Sequence, residues 1–123
     1  MSGRTVLVVD DEPAVRRTLE RAVSRLGYRA IPAEDAKTAF ALLQEHPVHA
    51  VLLDVHLQHV SGETVYTELI DRWPELEGHI AFMSGDLDAV SPALRATPRL
   101  AKPFELSTLG VLLETLTAPQ ADA

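Results

Sequence analysis

The sequence predicts an α/β three-layer sandwich, a parallel sheet covered by helices on both faces, and three observations carry that prediction. Short aliphatic runs alternate with segments of helical periodicity along the chain, the pattern of repeated β-α units. The run Val51-Leu52-Leu53 is apolar at every position, as a strand buried on both faces must be. The apolar runs also end in charge: Val6-Leu7-Val8-Val9 meets Asp10-Asp11, Val51-Leu52-Leu53 meets Asp54, and Leu100-Ala101 meets Lys102-Pro103. Open parallel sheets bind their ligands outside the carboxyl ends of the strands. Acid, acid and base are thus delivered to one rim.

Thr5 to Val9 reads as the first strand. Pro13 suits the first turn of a helix, in which Val15, Leu19, Ala22, Val23 and Leu26 share a face before Gly27 stops it. Tyr28 to Ile31 is the second strand, closed by Pro32. Asp35 caps a second helix with Ala36, Ala39, Phe40 and Leu43 on one face, and His46-Pro47 terminates it. Val48 to Leu53 is the third strand, and in its exit loop Gly62 supplies a backbone conformation closed to other residues. Val65, Leu69 and Trp73 mark a third helix ended by Pro74, with Trp73 as a core or half-buried anchor. His79 to Met83 is the fourth strand. Ser91-Pro92 starts a fourth helix, but Pro98 follows so soon that this helix is a stub. Arg99 to Ala101 makes a brief fifth strand. Leu106, Leu109, Leu113 and Leu116 form the stripe of the last helix, with Leu112 spare for a partner surface. Residues 1–118 are read as one domain and 119–123 as a frayed tail.

A chain of 123 residues suits one core, so a single unit without a separate output or DNA-binding domain is expected. With 46% hydrophobic and 24% charged residues, the composition is that of a packed globular domain. The net charge of −7 opposes nonspecific binding to nucleic acid or anionic membrane and favours a cation or a protein partner. There is no cysteine, which removes disulfides, thiolate nucleophiles and Cys-based zinc sites. No run has the length of a membrane span, and Met1-Ser2-Gly3-Arg4 lacks the apolar region of a signal peptide, so a cytoplasmic protein is expected.

If the strands bearing them are neighbours, Asp10, Asp11 and Asp54 converge. Each pair of carboxylates ~4 Å apart then costs about 4 kcal/mol at an effective dielectric near 20, which calls for a cation. Magnesium, or manganese in its place, suits oxygen ligands and works with one or two carboxylates plus a phosphate. Lys102 adds a further charge, directed at a phosphoryl group or at the carboxylates. Together with the hydroxyl of Ser84, these are the parts for moving a phosphoryl group onto Asp54 as an acyl phosphate.

Over nearly its whole length the sequence resembles a response-regulator receiver domain of the CheY type. The resemblance rests on Asp10-Asp11, Asp54, Gly62 eight positions beyond it, Ser84, and Lys102-Pro103-Phe104, in that order. From Met83 to Phe104 it is closer to receivers of hybrid sensor histidine kinases. The resemblance implies a flavodoxin-like sheet in the order 2-1-3-4-5. It also implies a stand-alone receiver of a two-component or phosphorelay system, phosphorylated by a phosphohistidine of a sensor histidine kinase or phosphotransfer protein. Carried over by position, Asp54 is the phosphoacceptor. Asp11 is a direct metal ligand, Asp10 a ligand through water, and the backbone carbonyl of His56 a third ligand. Ser84 and Lys102 each take a phosphoryl oxygen. The family's aromatic switch position, three before the lysine, holds Arg99, and the segment from Ser84 to Lys102 is short. His56 and Asp86 occupy the positions beside the hydrolytic water and are expected to tune phosphoryl lifetime.

Other readings stand beside these. Asp10-Asp11 also suits a helix cap, Ser84-Gly85 a turn, Lys102 a solvated loop cation, and Arg99 an edge-strand charge. His46, His49, His56, His59 and His79 invite a zinc site, but they fall on scattered segments. A degenerate receiver that docks a partner without phosphorylation is the alternative function. An aspartate-nucleophile phosphatase is disfavoured, because His56 stands where that chemistry wants a second aspartate. A switch that catalyses only its own modification, and is not a turnover enzyme, is the expectation.

Overall fold

Each apolar run forms a strand in the computed structural model, which describes residues 3–57, 60–85, 94 and 97–118. Strands β1 (Thr5–Val9), β2 (Arg29–Ala33), β3 (Ala50–Asp54), β4 (Ile80–Ser84) and β5 (Arg99–Ala101) pair in parallel in the order β2-β1-β3-β4-β5. Between and after them lie α1 (Pro13–Arg25), α2 (Ala36–Glu45), α3 (Gly62–Arg72), a 3-10 turn (Pro74–Leu76) and α4 (Leu106–Thr117). This is the flavodoxin-like arrangement. Side chains alternate across each strand, so Val6, Val8, Leu52 and Met83 meet Leu19 and Val23 of α1 and Leu109 and Leu113 of α4. Leu7, Val9, Leu53 and Phe82 turn to the other face, where Ala39 and Leu43 of α2 and Val65 and Leu69 of α3 cover them. Strands β1, β3 and β4 are buried at every position, which is why their sequences read as continuous apolar runs.

Local chemistry sets the helix ends. Asp35 accepts the Thr38 N–H (2.8 Å) and Ser61 accepts the Thr64 N–H (3.1 Å), each satisfying an otherwise unpaired donor of the first turn. Gly27 follows α1 at φ 96°, a left-handed conformation that a side chain would oppose. Trp73 at the end of α3 is half-buried as expected and stacks on Phe40 with centroids 6.0 Å apart, while the Arg72 guanidinium covers both rings.

Several boundaries differ from the sequence reading. β2 runs to Ala33 and so includes Pro32, paired with Val8; as an edge strand it tolerates the missing N–H that an interior strand would not. β3 starts at Ala50 rather than Val48. Just before it, the His49 N–H donates to the Thr5 carbonyl (2.8 Å), while His49 Nδ1 accepts the Thr5 N–H (3.0 Å). Asp54 and Ser84 are the last residues of their strands rather than the first residues beyond them. Gly62 is not a left-handed loop residue but the first residue of α3. The stub helix expected from Ser91-Pro92 falls largely outside the described residues, as do Asp86 and the tail 119–123. Among the described residues, no helix is long and apolar enough to cross a membrane.

Candidate functional site

The carboxyl ends of β1, β3 and β5 bring Asp10, Asp11, Asp54 and Lys102 to one rim. Lys102 Nζ donates to Asp10 Oδ2 at 2.9 Å and lies 3.3 Å from Asp54 Oδ2, so one ammonium serves two acids. Asp11 completes the group, with one carboxylate oxygen from each of the three aspartates within 4.8 Å of the others. When all are ionised, three negative charges face one positive.

Each acid is held differently. Asp10 has no exposed surface: its Oδ1 accepts the Glu12 N–H (2.9 Å), its carbonyl accepts Arg16 Nη1 (2.8 Å), and its N–H donates to the Ala33 carbonyl (3.1 Å). Asp54 is 6% exposed, and its Oδ1 accepts the His56 N–H at 3.0 Å. Burial pushes the Asp54 carboxyl above its ordinary range. The His56 N–H and Lys102 oppose that rise, and Asp10 reinforces it. For Lys102, burial alone would lower the ammonium, but the hydrogen bond to Asp10 and the charges of Asp54 and Asp10 outweigh it and the net shift is upward. Both partners rise, Asp54 because burial outweighs what Lys102 and the His56 N–H return, and Lys102 because two neighbouring carboxylates outweigh its burial.

The backbone explains why the loop after β3 needs glycine. A Cβ on Gly62 would sit 2.2 Å from the Asp54 carbonyl oxygen and 2.8 Å from Val55 Cα, so the start of α3 presses directly on the strand end that carries Asp54. The Gly62 N–H donates to the Val55 carbonyl at 2.7 Å. Close approach, not an unusual φ, fixes the residue type.

Ser84 is 1% exposed and lies one position beyond Met83, the residue that pairs with Asp54. Its carbonyl accepts the Lys102 N–H (2.9 Å), which ties the end of β4 to the lysine. The His56 side chain is exposed at the mouth of the same loop, where its backbone bridges to Ser61. Arg99 is half-buried on the edge strand β5 opposite Phe82. Asp86 lies outside the described residues. The expected convergence of Asp10, Asp11, Asp54 and Lys102 is therefore present. Lys102 is directed at the carboxylates of Asp10 and Asp54. Arg16 and the Glu12 amide were not anticipated.

The donor set is three carboxylates in a polar rim, hard oxygen ligands of the kind that magnesium or manganese takes. The acidic cluster thus fits a divalent cation.

Fold and rim together define a doubly wound α/β domain with an acid–lysine pocket. The model of the response regulator receiver domain matches residues 6–114, and the chain belongs to that family, the receivers of two-component systems. Response regulator protein PilR of Pseudomonas aeruginosa is 32% identical over 99% of this chain, which covers 28% of PilR. The DNA-binding transcriptional regulator NtrC of Proteus hauseri is 29% identical over 93% of this chain and 24% of its own length. The chain spans about a quarter of these relatives. Among solved structures, the receiver domain of NtrX from Brucella abortus superposes with a TM-score of 0.82 at 28% identity, covering 91% of this chain and 97% of that one. TrrA of Thermotoga maritima, solved in complex with Mg(2+)-BeF, has the same fold (TM-score 0.81, 23% identity, 92% and 98% covered).

Proposed function

We propose that this receiver accepts a phosphoryl group on Asp54 from a phosphohistidine of a sensor histidine kinase or phosphotransfer protein, and signals by protein contact in the cytoplasm. The observation that carries the reading is the convergence of Asp10, Asp11 and Asp54 with a single Lys102 shared between two of them. A carboxylate oxygen of Asp54 attacks phosphorus, and the P–N bond to the donor imidazole breaks. The imidazole leaves with the electron pair and takes a proton. The His56 N–H holds Asp54 Oδ1 during this step and orients the carboxylate. Lys102 then turns from Asp54 towards one phosphoryl oxygen while keeping Asp10, and the Ser84 hydroxyl takes another. Asp11, Asp10 through water, Asp54 and the His56 carbonyl would hold magnesium or manganese, which when bound would neutralise phosphoryl charge.

An apolar groove of about 730 Å³ beside the site supports a protein donor. It runs between α1 and the segment after β5, lined by Val15, Ala22, Pro103 and Phe104, with Arg21 and Arg25 alongside and Lys102 at the end shared with the acids. A donor seated there would bring its phosphohistidine to the rim.

Mass spectrometry of the protein after incubation with acetyl phosphate and magnesium tests the reading. One added phosphoryl group in wild type and none in Asp54→Ala is the expected result. Equal labelling of both refutes it. Phosphoryl lifetime is set by bulk at His56 and charge at Asp86. Exchanging either alters the decay rate, and unchanged decay in both variants removes that part.

A further inference from the structure

We infer that Arg16 is a positioning residue for the acidic cluster, and that through the Asp10–Asp11 peptide it sets the affinity of the site for a divalent cation. The inference rests on the reading of Asp10, Asp11 and Asp54 as a cation site. Arg16 comes from the first turns of α1, and its Nη1 donates to the Asp10 carbonyl oxygen at 2.8 Å. That carbonyl belongs to the peptide plane joining Asp10 to Asp11. Holding the oxygen fixes the plane, and with it the position from which the Asp11 side chain departs. The carboxylate of Asp10 is already fixed at both oxygens, by the Glu12 N–H and by Lys102. Its N–H is fixed by Ala33. The Arg16 contact completes a set of four bonds around one residue, and it is the one that bears directly on where Asp11 sits. Arg16 is half-buried, so the bond is sheltered from competing water.

Electrostatics and positioning make opposite predictions here. A guanidinium bonded to the Asp10 carbonyl repels a cation at the cluster, so removing its charge would by itself tighten cation binding. If Arg16 acts by orienting the peptide, removing it weakens binding despite the lost repulsion. Arg17, the next residue on the helix and exposed, supplies the control: the same charge change without the contact.

The test is Mn2+ titration of the full chain by electron paramagnetic resonance, for wild type, Arg16→Gln, Arg16→Lys and Arg17→Gln. Thermal unfolding of each is measured alongside, to compare only folded protein. Arg16→Gln is expected to bind about tenfold to a hundredfold more weakly, the effect of one lost charge-assisted hydrogen bond. Arg16→Lys should recover part of that loss, and Arg17→Gln should bind as tightly as wild type or slightly tighter. Unchanged or tighter binding in Arg16→Gln overturns the inference while leaving the cation site intact. Absence of Mn2+ binding by wild type overturns both. Should Arg16→Gln fail to fold, Arg16→Met decides: it keeps the aliphatic stem and removes both charge and donor, so wild-type or tighter affinity in it overturns the inference.

Discussion

Replacing Asp54 by Asn should make the metal-free protein more stable, although Asp54 lies at the centre of its site. With its carboxylate oxygens within 4.8 Å of those of Asp10 and Asp11, each pair repels by about 3.5 kcal/mol at an effective dielectric near 20, or about 7 kcal/mol for two pairs. The same rule gives about 5 kcal/mol for the attraction to Lys102 at 3.3 Å. Asn keeps an oxygen to accept the His56 N–H, so that bond is retained. These charge contributions largely offset one another, and the buried charge of Asp54, the first cause of its raised carboxyl, decides the sign because Asn removes it; a gain of ~2 kcal/mol is roughly 6–10 °C in melting temperature for a domain of this size.

The pH dependence follows from the raised Asp54 carboxyl. A group that binds its proton more tightly when folded favours the folded state while protonated, and that contribution is lost as pH rises through the raised folded value. Wild type therefore carries its full penalty at neutral pH. The advantage of Asn should shrink as pH falls through the raised value and vanish below the ordinary value of 3.8. Urea unfolding followed by Trp73 fluorescence, in EDTA and between pH 4 and 8, measures it. Magnesium at ten times its dissociation constant returns about 1.4 kcal/mol to wild type and narrows the gap. An Asp54→Asn protein no more stable than wild type at pH 7, or an advantage that does not change with pH, would refute the reasoning.

Lys102→Met leaves Asp10 buried without its counter-ion and should cost about 3–5 kcal/mol in the same urea experiment, with a loss under 1 kcal/mol counting against the shared-lysine picture. Gly62→Ala drives a methyl into the Asp54 carbonyl and should cost more than about 2 kcal/mol. Gly110→Ala in α4 meets only the flexible end of Leu26 at 3.3 Å and should gain about 0.5 kcal/mol from helix propensity, so the two glycines separate backbone clash from side-chain adjustment. Asp35→Ala removes the α2 cap and should cost about 1 kcal/mol at neutral pH. Because the Thr38 amide holds the Asp35 carboxyl below its ordinary range, that difference should fade as pH drops through the range where Asp35 protonates.

The sheet was legible because strands buried on both faces read as apolar runs: β1, β3 and β4 are buried at every residue and polar only at one end, at Thr5, Asp54 and Ser84. Pro32 misled at β2 because a proline stops a strand only where its N–H would be needed, and edge position is a property of the assembled sheet, not of the local sequence. At the start of β3, His49 uses its ring nitrogen in place of a backbone partner, which no strand propensity describes. The acids and the lysine could be placed at one rim from their positions after apolar runs. That Lys102 divides itself between Asp10 and Asp54 could not, since it depends on the spacing between β1, β3 and β5. Gly62 was singled out by position, but for the wrong physical reason. Its constraint comes from Asp54, eight residues away, and appears only when α3 is docked on the strand.

The same lysine bears on how a change at Asp54 reaches the surface without an aromatic at position 99. Its side chain bonds Asp10 more closely than Asp54, and its backbone N–H bonds the Ser84 carbonyl, so one residue links the ends of β1, β3, β4 and β5. Arg99 stands three residues earlier on the three-residue strand β5, one of the two edge strands of the sheet among the described residues. On the proposed reading, a phosphoryl group on Asp54 draws Lys102 off that carboxylate and recruits the Ser84 hydroxyl, altering both attachments of β5 to the rim. A ligand shifts a conformational equilibrium only through contacts that differ between the two states, and Lys102 and Ser84 are the residues whose contacts differ. On that reading, a phosphoryl group on Asp54 is expected to act first on the ends of β4 and β5, where Lys102 and Ser84 meet.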